Sequence, residues 1–288
     1  MSEIERQLEE IARLIRIDVV TMIHKAGDGH PGPALSATDL ITALYFHIMN
    51  VNPKNPGWES RDRFILSKGH ACPALYAALA RKGYFPQSEL VGLRSLESFL
   101  QGHPDMNKTP GIDSTSGSLG NGVGIGLGMA LAGRYFGRDY FTYVITGDGE
   151  IEEGIVWEAG MSAKKYKAGK LIVFVDNNGI QSGGPVEKVS GLYPILSKWE
   201  AFGWHCQEID GHNFTEILHA AENAKANTEQ PSLILAHTIK GQGVPFMIGD
   251  NTWHKRVPTR QEYEEAMHAL ARRPDSRRET RGQGGEIL

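Results

Sequence analysis

From Ile4 onward the apolar residues Leu8, Ile11, Ile15, Val19, Met22 and Ile23 recur at helical spacing, with Glu and Arg between them. That is the pattern of an amphipathic helix with one buried face. The segment Gly27-Asp28-Gly29-His30-Pro31-Gly32-Pro33 interrupts it, and three glycines with two prolines predict a loop. Ser36 or Thr38 is then the expected cap of a second helix through Leu40, Leu44, Tyr45 and Ile48, ending before the loop between Pro53 and Pro56. Downstream, apolar runs of strand length occupy 63–67, 140–146, 171–176, 204–210 and 231–239. Helical patterns fall between and beyond them: 71–80, 121–133, a segment through Trp157, Glu158 and Ala159, one through Phe214, Ile217, Leu218 and Ala221, and 261–271.

Strands that read as continuous apolar runs are covered on both faces. Their alternation with helices predicts an α/β fold: a doubly wound, mostly parallel sheet with helices on both faces. Two stretches stand out. Residues 101–120 carry almost no hydrophobic period, and so long a structureless connection is usually functional. In 121–133 glycine alternates with apolar residues, so a helix there must be held by close packing against another backbone or subunit. Residues 1–270 are expected to form one domain, and the Arg- and Gly-rich segment 271–288 a flexible tail.

Composition narrows the function. The chain has 34 acidic and 30 basic residues, a net charge of −4, so no global basic field argues for nucleic acid. No segment approaches the roughly twenty apolar residues of a membrane span. Cys72 and Cys206 cannot build a disulfide framework, and buried packing is the role expected of both. The expectation is a reduced, cytoplasmic protein.

The chemistry is concentrated at strand ends. The 140–146 strand runs into Gly147-Asp148-Gly149, and the 171–176 strand into Asn177-Asn178-Gly179-Ile180. Open α/β sheets bind ligands at the carboxyl ends of their strands. Asp148 and Asn178 supply hard oxygen ligands of the kind Mg2+ or Ca2+ prefers, few enough that water or phosphate must complete the shell. That is a metal-diphosphate site, and Gly-Asp-Gly followed about thirty positions later by Asn-Asn resembles the thiamine diphosphate signature.

Four further segments make the resemblance specific. Gly29-His30-Pro31-Gly32, Ser67-Lys68-Gly69-His70, Gly102-His103-Pro104 and Gly117-Ser118-Leu119-Gly120 are similar to the successive loops of a transketolase, in the same order. Lys240-Gly241-Gln242-Gly243 and Trp253-His254 extend the match, which covers roughly residues 5–265. The resemblance implies Mg2+, with Ca2+ or Mn2+ able to substitute, held by Asp148, Asn178 and the main-chain oxygen of Ile180. It implies that Gly149, His70, His254 and Lys240 serve the diphosphate end of thiamine diphosphate, and that Gly117 and Leu119 touch the aminopyrimidine. Ser118 stands where many transketolases have proline. His30 and His103, with His70, are implied at the reacting end of the sugar, where imidazole suits proton transfer near neutral pH. Glu153 is implied in the interface network that couples paired cofactors. The remaining histidines, His24, His47, His205, His212, His219, His237 and His268, receive no catalytic role.

Transketolases also contain a pyrimidine-binding domain, which supplies the glutamate that activates the cofactor, and a C-terminal domain. No later α/β block follows the helix at 261–271, so the chain resembles the N-terminal subunit of a split transketolase. The resemblance implies a two-carbon ketol transfer from a ketose, phosphorylated in the usual case, to an aldose. It implies a separate pyrimidine-domain subunit in a two-plus-two heterotetramer, and inactivity alone. Two other readings compete with it. One is a cofactor-binding scaffold that has lost turnover. The other is the α chain of a 2-oxo acid dehydrogenase, which shares the Gly-Asp-Gly logic but does not explain the two Gly-His-Pro loops. Deoxyxylulose phosphate synthase is a nearer relative, normally a single longer chain.

Overall fold

A computed structural model describes residues 2–272. The chain opens with α1 (Glu3–Ala26), fixed at its start by a capping box between Ser2 and Glu5 and stopped by Gly27 at φ 66°. Helix α2 (Pro31–Ala43) follows at once, and a π-helical turn (Leu44–Ile48) completes it. Its start corrects the sequence expectation. Ser36 and Thr38 are not caps but buried interior residues, and the helix begins at Pro31 because proline's fixed φ and missing N–H suit a first helical turn. The expected loop shrinks to 27–30.

Next come β1 (Arg63–Leu66), α3 (Cys72–Lys82), α4 (Asn121–Tyr135), β2 (Thr142–Gly147), α5 (Gly154–Lys165) and β3 (Leu171–Asn177). A small hairpin of β4 (Ile180–Gln181) and β5 (Gly184–Pro185) leads through the short helices α6 (Val186–Val189) and α7 (Ile195–Ala201). The described chain finishes with β6 (His205–Asp210), α8 (Phe214–Ala226), β7 (Ser232–His237) and α9 (Arg260–Ala271).

The main sheet has the order β1-β2-β3-β7-β6, all parallel. Alternate residues of each strand feed two separate cores. Phe64, Tyr143, Ile145, Ile172, Phe174 and Ile234 pack on the side of α1, α2, α3 and α8. Ile65, Val144, Val173, Val175 and Leu233 pack on the side of α4, α5 and α7. Helices thus cover both faces, as the apolar strand runs require.

The glycines of α4 divide by face. A Cβ on Gly126 would lie 2.6 Å from Val144 Cγ2, and one on Gly122 2.3 Å from Ser67 Oγ, so both let the helix seat against the sheet. Gly124 and Gly128 have nothing within 4 Å. The 93–120 connection is irregular but stapled: Tyr76 donates its hydroxyl to the carbonyls of Gln101 and His103, and Asp113 accepts from the Phe64 N–H at 2.9 Å. Cys72 is buried as expected, whereas Cys206 is only half-buried. Of the tail anticipated at 271–288, residues 273–288 lie outside the described residues.

Candidate active site

Every strand of the main sheet points its carboxyl end the same way, and the residues singled out from sequence collect there. Asp148, directly after β2, is buried. Its Oδ1 accepts the Gly149 N–H at 2.7 Å and its Oδ2 the Gly179 N–H at 2.6 Å. Asn178 accepts the Ile180 N–H on Oδ1 at 3.1 Å and donates through Nδ2 to Ser36 Oγ at 3.4 Å. The Ile180 carbonyl accepts from Lys240 Nζ at 3.1 Å. A Cβ on Gly149 would sit 2.7 Å from Gln181 Cβ, so only glycine allows this approach. Burial pushes the Asp148 carboxyl up to about 6; Asp176 adds to the shift, while the two N–H donors and Lys68 oppose it.

Four histidines lie beside these turns, His30, His70 and His254 partly buried and His103 exposed. The rings of His30, His70 and His254 form a cluster, with centroids 5.2 Å (His30–His70), 5.7 Å (His30–His254) and 5.3 Å (His70–His254) apart. His103 lies against Gly117, where a Cβ would meet its ring at 3.0 Å. Burial is the first cause that lowers each imidazole: His30 falls to about 4, His254 to about 3, and His70 and His103 fall too. Neighbouring cations deepen the effect, Arg94 for His30 and His103, Lys68 for His70, and Lys240 for His254. The Lys240 ammonium donates to His254 Nδ1 and to Asn251 Oδ1, both at 2.9 Å, which keeps that imidazole neutral. Lys240 is buried, and burial with nearby Lys68 draws it down to about 8.

The 116–120 loop closes one wall. Gly117, at φ 143°, packs so near the end of β1 that a Cβ on Gly69 would meet its nitrogen at 2.9 Å. Leu119 is partly exposed at 38%. Glu153 stands apart from the histidines, exposed at the start of α5, where it packs against Gly120.

Beneath the site lies a buried ionic core that sequence patterns do not reveal. Lys68 forms an ion pair with Asp176, whose carboxylate also accepts the hydroxyls of Ser36, at 2.6 Å, and Thr238. These four residues join β1, α2, β3 and β7 under Asn178. Lysine and aspartate at the ends of apolar strands are the available signal, but the pair is separated by 108 positions. Glu150 escapes sequence reading as well; it is a buried carboxylate one residue beyond the Gly-Asp-Gly turn.

The residues present fit a metal diphosphate. A carboxylate on the turn after β2 is joined by the Asp148–Gly179 bond to the turn after β3, which carries an amide oxygen and a main-chain carbonyl, a hard donor set that phosphate oxygens can complete. Among the described residues no three His, Cys, Asp or Glu side chains could hold a metal by themselves, so the amide and carbonyl oxygens are needed. His30 Nδ1 and Ser116 Oγ are buried without hydrogen-bond partners, the first on a ring packed against His70 and the second beside Gly69. Buried polar atoms are normally paired, so these two unpaired atoms leave hydrogen-bonding capacity beside the histidines that a polar ligand can use. No described helix is long and apolar enough to cross a membrane.

A doubly wound sheet with such a turn and such loops defines a thiamine diphosphate-binding domain. Residues 7–280 match the family described as "Transketolase, thiamine diphosphate binding domain". The chain therefore belongs to the transketolase family, and it is a transketolase-type transferase chain. It is 45% identical over 270 residues to the 6-deoxy-6-sulfo-D-fructose transketolase subunit SqwG of a Clostridium species, covering 94% of this chain and 98% of that one. It is 39% identical over 255 residues to an apulose-4-phosphate transketolase subunit from Phocaeicola vulgatus, covering 88% and 90%. The transketolase structure from Leishmania mexicana superposes with a TM-score of 0.88 at 30% identity, over 93% of this chain but 42% of that one. The chain thus matches nearly the full length of these subunit-type relatives and less than half of that structure.

Proposed function

We propose that this chain is the diphosphate-binding half of a two-chain transketolase. Asp148, Asn178 and the Ile180 carbonyl hold Mg2+. His70, Lys240, His254 and Gly149 receive the diphosphate, and Gly117 and Leu119 support the aminopyrimidine. When bound, thiamine diphosphate supplies the carbanion chemistry of the reaction. His30 and His103, with His70, hold and move protons at the sugar hydroxyls, since neutral imidazoles can accept as well as donate. Glu153 meets a second cofactor-bearing unit, a role that its exposure beside Gly120 supports.

The observation that carries this reading is the junction of the Asp148–Gly179 turn with the His30–His70–His254 cluster through Lys240. A cation site, an anion-binding ammonium and proton-transfer groups adjoin in that order. A separate chain with the pyrimidine domain completes the site in a two-plus-two assembly in the cytoplasm; the names of the two relatives, each a transketolase subunit, support such a partner. The donor is a ketose with an anionic terminus, a phosphate or, as the name of the Clostridium relative suggests, a sulfonate.

Calorimetric titration of thiamine diphosphate with Mg2+ tests the cofactor assignment on wild type and Asp148→Ala, with and without the partner chain. Binding to wild type is expected, and the variant should lose more than the roughly 10–100-fold that removing an outer-shell partner of a metal costs. Equal binding by the two proteins would show that Asp148 does not hold the metal.

A further inference from the structure

Glu150 has no part in the cofactor contacts above, yet its buried carboxylate joins three separate segments. Oε1 accepts the Ser67 hydroxyl at the end of β1 and the Gly120 N–H at 2.8 Å; Oε2 accepts the Gly147 N–H at 2.9 Å. Gly122 makes the Ser67 contact possible, because any Cβ there would collide with the serine. Gly120 ends the loop that carries Gly117 and Leu119, and Gly147 directly precedes Asp148. Both oxygens must be acceptors to satisfy these three donors. A carboxamide has only one acceptor oxygen and turns an NH2 toward at least one N–H. Aspartate keeps the charge but is one methylene too short to span both glycines.

We propose that Glu150 is a positioning residue that holds the 117–120 loop at a fixed distance from the Gly147-Asp148-Gly149 turn, so that the two ends of the cofactor cradle form one unit. The proposal rests on the assignment of these loops to the aminopyrimidine and diphosphate ends of thiamine diphosphate. Its local part is independent of any ligand, because the carboxylate bridges the loops in the chain itself.

The test is amide hydrogen exchange at Gly120 and Gly147 in wild type, Glu150→Gln and Glu150→Asp, with cofactor affinity by calorimetry and the melting temperature recorded alongside. Both variants should exchange about tenfold or more faster at these amides and bind the cofactor about tenfold more weakly, as expected for buried donors left unpaired. A general loss of stability would speed exchange throughout the sheet and leave the affinity of the folded protein unchanged, which would overturn the proposal. Wild-type behaviour of Glu150→Asp would also overturn it, since charge and not reach would then suffice. If Glu150→Gln does not fold, Ser67→Ala removes one donor and keeps the charge. About threefold faster exchange at Gly120 is expected there, and unchanged exchange overturns the proposal. Should Asp148→Ala retain full cofactor affinity while the exchange results hold, the cofactor assignment fails and the bridging role stands.

Discussion

The carboxylate of Asp148 accepts the main-chain N–H of Gly179 at 2.6 Å, locking the turn after β2 to the turn after β3. Gly179 can present that N–H because it lies at φ 76° with open space around the position a Cβ would take. Gly179→Ala therefore meets no steric contact and feels only the cost of left-handed backbone, about 1–2 kcal/mol. Denaturant unfolding should show that loss, accompanied by weaker Mg2+-dependent cofactor binding. An alanine variant as stable as wild type would mean that the turn relaxes to another shape.

The Lys68–Asp176 pair is buried on both sides and carries hydroxyl donors from Ser36 and Thr238. Removing one charge strands the other in a medium that solvates it poorly. Lys68→Met or Asp176→Leu should each cost about 3–5 kcal/mol by equilibrium unfolding. The double variant should recover much of the loss, and simple addition of the two single effects would argue against coupling.

Helix α4 offers a matched comparison. Gly126→Ala drives a methyl into Val144 and should destabilise the chain by about 1–3 kcal/mol. Gly124→Ala meets nothing and should stabilise it by about 1 kcal/mol through helix propensity. The sign difference, read from thermal or denaturant unfolding, tests which face of the helix lies on the sheet.

The histidine cluster makes a pH prediction. His30 and His254 have folded-state values of about 4 and about 3, below the unfolded value of 6.5, so the unfolded chain takes up protons that the folded chain refuses. Their contribution to stability is complete above pH 6.5 and is lost progressively as pH falls toward those folded values. Ring NMR signals of both residues should stay those of neutral imidazole at pH 5.5. A midpoint near 6.5 for either ring would contradict the burial and the Lys240 contact.

Much of this is legible in the sequence. The strands stand out because they are buried on both faces, and the Gly-Asp-Gly and Asn-Asn turns because function places unusual residues at strand ends. The start of α2 is not legible, since the prolines of 31–33 look like loop punctuation and in fact lie in the helix's first turn. Ser36 resembles a cap for the same reason that it bonds Asp176: a small hydroxyl serves either purpose, and only the fold decides. The roles of Glu150 and the Lys68–Asp176 pair are out of reach because each depends on partners distant in sequence. Periodicity reports which face is buried but not which charges meet there.

The central claim is that this chain forms one side of a ketol-transfer site completed by another chain. Its most direct test is a ketol-transfer assay with thiamine diphosphate, Mg2+ and an anionic ketose donor, run on the purified chain, on the pyrimidine-domain partner, and on the mixture. Transfer by the mixture alone is expected, with a loss of about 10²–10⁴-fold when the mixture carries His103→Ala. Full transfer by this chain without a partner, or none by a mixture that binds the cofactor, would contradict the claim.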